Sequence, residues 1–313
     1  MPHKLMRIHR AESFRPAMLA IAGDSAAGKT TVARGLTEAL GEERSTSVCV
    51  DDYHRYERAE RRGLPFTPLH PTCNHMQIME QHLQLLAMGQ PILKPVYDHR
   101  DGSLGRPRLV EPRDLVIVEG LLPLHTKLAR ACFDVTVYLD PPERVRSEWK
   151  INRDTARRGY TRAQAVAEIS RREADSATFV RPQRREADIV VRFAPVEGRE
   201  DVPLSATLLL RPTIRHPDFA RILSSATGAA AHLTLTRDSD GGPVDALHVH
   251  GDADPLEADV VAKAIWHDLG VPEPLPACLG RMPDGSRNEP LRITQLILLY
   301  HLIRAGVWRL PGE

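Results

Sequence analysis

The chain has 313 residues, 42% of them apolar and 27% charged, which is ordinary usage for a globular protein with a sizeable core. A net charge of +1 gives no overall field that would favour nucleic acid or a membrane surface, and no apolar run reaches transmembrane length. The four cysteines, Cys49, Cys73, Cys132 and Cys278, form no C-x-x-C pair and no disulfide framework.

The N-terminal stretch to Arg10 is basic but has no apolar signal core, so a cytoplasmic protein is expected, with residues 1–16 as an N-terminal arm. The apolar run Met18–Ala22 reads as a buried strand. Next comes Gly23, Asp24, Ser25, Ala26, Ala27, Gly28, Lys29, Thr30 and Thr31, and then a helix with Val32, Leu36 and Leu40 on one side. Strand, glycine-bounded loop and helix are the context that G-x-x-x-x-G-K-[ST] needs to cradle phosphates. The glycines bring backbone N–H groups close to an anion, and the helix N-terminus adds partial positive charge. Lys29 is expected on the β- and γ-phosphates of ATP and the Thr30 hydroxyl on Mg²⁺.

Val48–Val50 is a short strand ending at Asp51, Asp52, Tyr53 and His54, which places these residues beside the phosphate loop. Residues 55–62 are densely charged, as a solvated loop would also be. Met76, Met79, Leu83 and Leu86 make a helical stripe that stops at Gly89, and Pro91–His99 suggests a strand turning at Asp101-Gly102. Asp114–Gly120 is a buried strand with Glu119 at its carboxyl end, where phosphate-loop proteins place an acid for Mg²⁺; a strand-end carboxylate capping the next helix has the same pattern.

Phe133–Leu139 is another strand, followed after Pro142 by a helix with Val145 and Trp149 on its apolar side. Arg146, Lys150, Arg153 and Arg157 share its other face, and Asp154 lies four residues from Lys150 and from Arg158. These could be exposed i,i+4 ion pairs, but basic residues crowd 144–185 in a nearly neutral chain, which favours an arginine-rich lid over phosphates. A second lid helix starts at Thr161 and is expected to end near Arg171-Arg172, before a strand at Ala187–Val191. Beyond Val202, strands at Leu204–Leu210, Ala231–Thr236 and Val244–His250 alternate with helices at Pro255–Leu269 and Leu291–Arg304. His248 and His250 share a strand face near Asp252 and read as edge-strand histidines rather than metal ligands.

The expected fold is therefore α/β: a phosphate-loop NTPase-type sheet with flanking helices over residues 17–200, a helical arginine-rich lid at about 141–186, and a C-terminal α/β extension, 201–313, packed on or continuing the core sheet.

From Met18 to about Pro195 these residues resemble the phosphoribulokinase and uridine kinase family, and its phosphoribulokinase branch in particular. The likeness rests on Gly23–Thr31, Asp51–His54 with Arg58, Lys94–His99, Val118–Gly120, Trp149–Asp154, Arg158–Thr161, Arg171-Arg172 and Pro182-Gln183. Uridine kinases usually carry Phe-Tyr where this chain has Tyr53-His54. The resemblance implies MgATP-dependent phosphorylation of D-ribulose 5-phosphate at O1, the Calvin-cycle step that makes ribulose 1,5-bisphosphate. It implies Asp51 as general base, Glu119 as the acidic partner of Mg²⁺, and Asp154 as a second catalytic or metal-associated carboxylate. His54, Arg58, His99 and Arg158 would bind the sugar phosphate, joined by Arg153, Arg171 and Arg172. It also matches Cys49, but not Ala27, to a redox-active cysteine pair, so no regulatory disulfide of that kind is expected. Small-molecule substrates are the expected partners, with no nucleic acid or membrane, and the chain is expected to be a homo-oligomer. The rival readings are a uridine or other small-molecule kinase on the same scaffold, and a non-catalytic nucleotide-binding regulator; the retained Asp51, Glu119 and Asp154 argue against the second.

Overall fold

The structure, a computed structural model, describes residues 15–196, 203–224 and 230–307, so the expected N-terminal arm and the boundary near residue 200 fall largely outside the described residues. In chain order the elements are β1 (Ala17–Gly23), α1 (Lys29–Leu40), β2 (Ser45–Cys49), α2 (Met76–Ala87), β3 (Ile92–Tyr97), β4 (Leu104–Val110), β5 (Leu115–Gly120), α3 (Lys127–Arg130) and β6 (Val135–Leu139). They continue with α4 (Glu143–Arg158), α5 (Arg162–Asp175), β7 (Ile189–Ala194), β8 (Ser205–Leu210), α6 (Phe219–Ser224), β9 (Ala231–Arg237), β10 (Pro243–Val249), α7 (Pro255–Leu269) and α8 (Glu289–Leu302). Among the described residues no helix is long and apolar enough to cross a membrane.

One eight-stranded sheet runs β2-β5-β1-β6-β7-β8-β10-β9. The first five strands in that order are parallel, and β8, β10 and β9 continue the sheet antiparallel. Alternation along β1 explains the layers. Ala17, Leu19 and Ile21 point into a core shared with α1, α7 and α8, while Met18 points into a second core with α2. Parallel strands covered on both faces read as continuous apolar runs, which is why β1, β5 and β6 are plain in the sequence. Helix α8 is buried from Pro290 to Leu302, as expected for a helix that is apolar nearly all round.

Three expectations change. Strand β10 is not an edge: β8 and β9 flank it, and His248 bonds across to Thr207 and Thr234, while His250 pairs with His232. Helix α5 runs past Arg172 to Asp175, started by a capping box between Thr161 and Gln164. Strand β4 had no sequence signal, because it is almost wholly exposed, holds Pro107, and pairs only with β3 in a separate two-stranded ribbon.

Candidate active site

The carboxyl ends of β1, β2 and β5 lie side by side and deliver three loops to one place. After β1 the chain must turn sharply into α1. Ala26 adopts φ +68° and Gly28 φ +97°, and Gly28 is the N-cap of α1 with no side chain closing the helix end. No acidic residue occupies the first turn, so no side-chain carboxylate there competes with an anion for the positive end of the helix. Lys29 is buried and folds back to donate to the Gly23 carbonyl (3.0 Å) and the Asp24 carbonyl (2.9 Å). The Asp24 carboxylate is buried, accepting from the Ser25 N–H at 2.6 Å and from the Ser176 hydroxyl.

Thr30 donates its hydroxyl to Glu119 Oε1 at 2.9 Å. A hydroxyl and a carboxylate in contact beside Lys29 form the hard oxygen donor set that a divalent cation of the Mg²⁺ type selects. Burial pushes the Glu119 carboxyl up, and Lys29 pulls it back.

Beyond β2, the two aspartates separate in their surroundings. Asp52 is bound to the Lys94 ammonium and accepts the Tyr97 N–H at 2.9 Å, so it holds β3 in place. Asp51 faces His99 Nε2 at 3.8 Å. Burial would raise its carboxyl, but His54, His99, Lys29 and Arg158 outweigh it and hold Asp51 below the usual carboxylate range.

His54 is buried and its protonation is legible from its neighbours. Asn74 Nδ2 donates to the Pro68 and His70 carbonyls, which fixes Asn74 Oδ1 toward His54 Nδ1 at 2.7 Å. The His54 proton therefore sits on Nδ1 and Nε2 is a bare acceptor. Burial lowers its pKa to about 4. Neutral His54 suits a hydroxyl better than a phosphate charge.

Helix α4 presents its polar stripe inward, with Arg146, Lys150 and Asp154 buried, and the expected apolar pair Val145 and Trp149 only half-buried. The exposed ion-pair reading fails for Arg146, Lys150 and Asp154, whereas Arg157 of the same expected face is exposed. Arg146 donates to the Ser25 carbonyl (3.1 Å) and Arg153 to the Ser25 hydroxyl (3.2 Å), so the helix clasps the phosphate loop. Asp154 stands among cations, with Lys150 at 2.5 Å, Arg153 at 2.9 Å and Arg158 at 3.5 Å. Burial, followed by the nearby Arg172, pushes the Lys150 ammonium down to about 8.

The remaining candidates divide. Arg172 lines a narrow cleft with Asp24, Ser25, Arg146 and Lys150. Arg171, one residue and about 100° away round the helix, is exposed, although both arginines pair with Glu168. Arg58 uses its guanidinium on the His99 carbonyl (2.6 Å) and the Arg100 carbonyl (3.2 Å), bracing the β3–β4 turn that carries His99. Sequence reasoning missed Arg61, which is buried against the Tyr97 hydroxyl and ring; nothing in a run of charges marks one member as buried. It also missed Asn74 and Ser176, polar residues in stretches without a motif.

Residues 18–198 match the Phosphoribulokinase / Uridine kinase family. The chain is 41% identical over 187 residues to a phosphoribulokinase of Synechocystis sp., covering 60% of this chain and 56% of that protein. It is 32% identical over 213 residues to a chloroplastic phosphoribulokinase of Triticum aestivum, covering 60% and 53%. The chain thus spans about half the length of these curated relatives. Among solved structures, phosphoribulokinase from Rhodobacter spheroides superposes with a TM-score of 0.60 at 18% identity, over 80% of this chain and 99% of that one, a likeness of fold.

Proposed function

Because the chain belongs to the phosphoribulokinase and uridine kinase family, we propose that it transfers the γ-phosphoryl group of ATP to O1 of D-ribulose 5-phosphate, giving ribulose 1,5-bisphosphate and ADP. The observation that carries this reading is the contrast between Asp52, locked to Lys94 and the Tyr97 N–H, and Asp51, ionised and facing the site among His54, His99, Lys29 and Arg158. A sugar hydroxyl is a weak nucleophile, so a positioned carboxylate must take its proton as the oxygen attacks phosphorus.

In this reading Asp51 accepts the O1 proton, and His54 Nε2 accepts a hydrogen bond from a neighbouring hydroxyl. Lys29 and the α1 N-terminus hold the β- and γ-phosphates and offset the charge that builds up on the leaving ADP. The family implies a divalent metal with ATP; we assign Mg²⁺, held by the Thr30 hydroxyl and Glu119, where it would draw charge from the β- and γ-phosphate oxygens. Arg158, Arg153 and Arg172 answer the 5-phosphate, and α4 with α5 acts as the lid. Asp154 enters the reaction by gathering those cations. A phosphorylated acceptor needs such arginines, and uridine carries no phosphate for them.

The test is ADP release from MgATP with ribulose 5-phosphate, other pentose and hexose phosphates, and uridine, each as sole acceptor. Ribulose 5-phosphate should give the highest kcat/KM. Turnover of uridine at an equal or greater kcat/KM would replace this reading with the nucleoside kinase.

A further inference from the structure

Three side chains of different elements converge at the mouth of the acceptor site. Cys49 is the last residue of β2, Asp51 lies in the turn after it, and His99 lies in the turn after β3. A ligand atom of each, thiol sulfur, carboxylate oxygen and imidazole nitrogen, lies within 4.8 Å of the other two. His99 Nε2 and Asp51 Oδ2 are 3.8 Å apart. Each of the three is half-buried rather than fully enclosed. Among the described residues this is the one group of three or more such side chains that converges in this way.

We propose that Cys49, Asp51 and His99 form a binding site for a soft divalent cation, Zn²⁺ or Cd²⁺, separate from the oxygen-only Thr30–Glu119 pair. One thiolate, one imidazole and one carboxylate make a three-ligand zinc site whose fourth position is open to water. Metal–sulfur and metal–nitrogen bonds of about 2.3 and 2.0–2.1 Å allow ligand atoms this far apart to share one ion after small rotamer shifts. Softness divides the two sites: thiolate and imidazole select zinc-like ions, whereas Mg²⁺ prefers oxygen and water.

Local charge permits binding. Lys29 and Arg158 act on Asp51, while Asp51, Glu119 and Asp52 put negative charge around Cys49 that draws a cation. As the metal–sulfur bond forms, the thiol proton passes to solvent and no electrons are transferred. Occupancy ties up the Asp51 lone pair and turns His99 toward the ion. On the proposed kinase reading this blocks the general base, so the site would inhibit.

The probe is Cd²⁺, titrated into the full chain without nucleotide and read as the ultraviolet thiolate-to-cadmium absorption band. One saturable band is expected. It should vanish in Cys49→Ser, persist in Cys278→Ser, and need roughly ten times more Cd²⁺ in His99→Gln. Absence of the band, or a band that survives Cys49→Ser, overturns the site. This readout needs no turnover, so it stands apart from the identity of the acceptor. With an acceptor that is turned over, Cd²⁺ at saturating Mg²⁺ should slow ADP release, a chelator should restore it, and Cys49→Ser should be roughly tenfold less sensitive. Equal sensitivity of Cys49→Ser overturns the inhibitory role.

Discussion

Gln295, in the middle of the last long helix, donates its side-chain amide to the Thr31 carbonyl (3.1 Å) and the Val32 carbonyl (3.3 Å) in the first turn after the phosphate loop. Its Oε1 accepts the Gly280 N–H at 2.8 Å, and the residue is fully buried. Room for the amide comes from Gly35, where a Cβ would sit 2.1 Å from Gln295 Nε2. Alanine normally stabilises a helix interior by about 1 kcal/mol over glycine. Here Gly35→Ala should instead destabilise, by roughly 1–3 kcal/mol, because it evicts a buried hydrogen-bonding group. In a Gln295→Ala background the sign should reverse and Gly35→Ala should stabilise. Urea midpoints of the four proteins measure this, and additive effects would refute the coupling.

The two adjacent aspartates should fail in different ways. Asp51→Asn should lower kcat by roughly 10²–10⁴ with little change in unfolding midpoint or ATP affinity. Asp52→Asn strands the buried Lys94 and weakens the anchor of β3, so it should cost roughly 1.5–3 kcal/mol of stability. If Asp52→Asn proved stable but inactive, and Asp51→Asn active, the assigned roles would be exchanged.

His54 predicts an acid-side loss of stability. Its folded pKa, about 4, is lowered by burial from an ordinary 6.5. The unfolded chain therefore binds a proton that the folded chain refuses between those two values, and stability falls as pH drops through that window. For this one residue the loss between pH 7 and pH 5 should be about 2 kcal/mol. His54→Gln removes the titration, so its unfolding free energy should fall less over the same interval. Parallel pH profiles for the two proteins would show that His54 is not buried and neutral.

The strands of the parallel sheet and the phosphate loop were legible because burial on both faces writes continuous apolar runs, and because a tight anion loop has few solutions in residue type. The basic stripe of α4 was legible as a pattern, but its direction was not. The Lys150–Asp154 pair was visible at i,i+4 but its burial was not, whereas Arg146 is buried against the Ser25 carbonyl, 121 residues away and outside any local sequence window. Arg61 and Asn74 were hidden for the same reason: their partners, Tyr97 and His54, are 36 and 20 residues away. Strand β4 was hidden because it buries nothing that would leave a periodic trace.

On the proposed reading Arg58 and Arg158 both serve the acceptor, and the structure gives them different contacts. Arg158 approaches Asp154 Oδ1 at 3.5 Å and its charge reaches Asp51, whereas Arg58 spends its donors on the carbonyls of His99 and Arg100. Arg158→Ala should raise KM for the sugar phosphate by roughly tenfold to a hundredfold, the loss of one charge-assisted contact, and leave KM for ATP nearly unchanged. Arg58→Ala should act through the hairpin turn, so its effect should be shared with His99. The double variant Arg58→Ala with His99→Ala should then lose little more acceptor kcat/KM than the worse single variant. Steady-state kinetics on the three proteins decide it: multiplicative losses would make Arg58 an independent ligand, and a loss of ATP affinity in Arg158→Ala would move that arginine to the nucleotide.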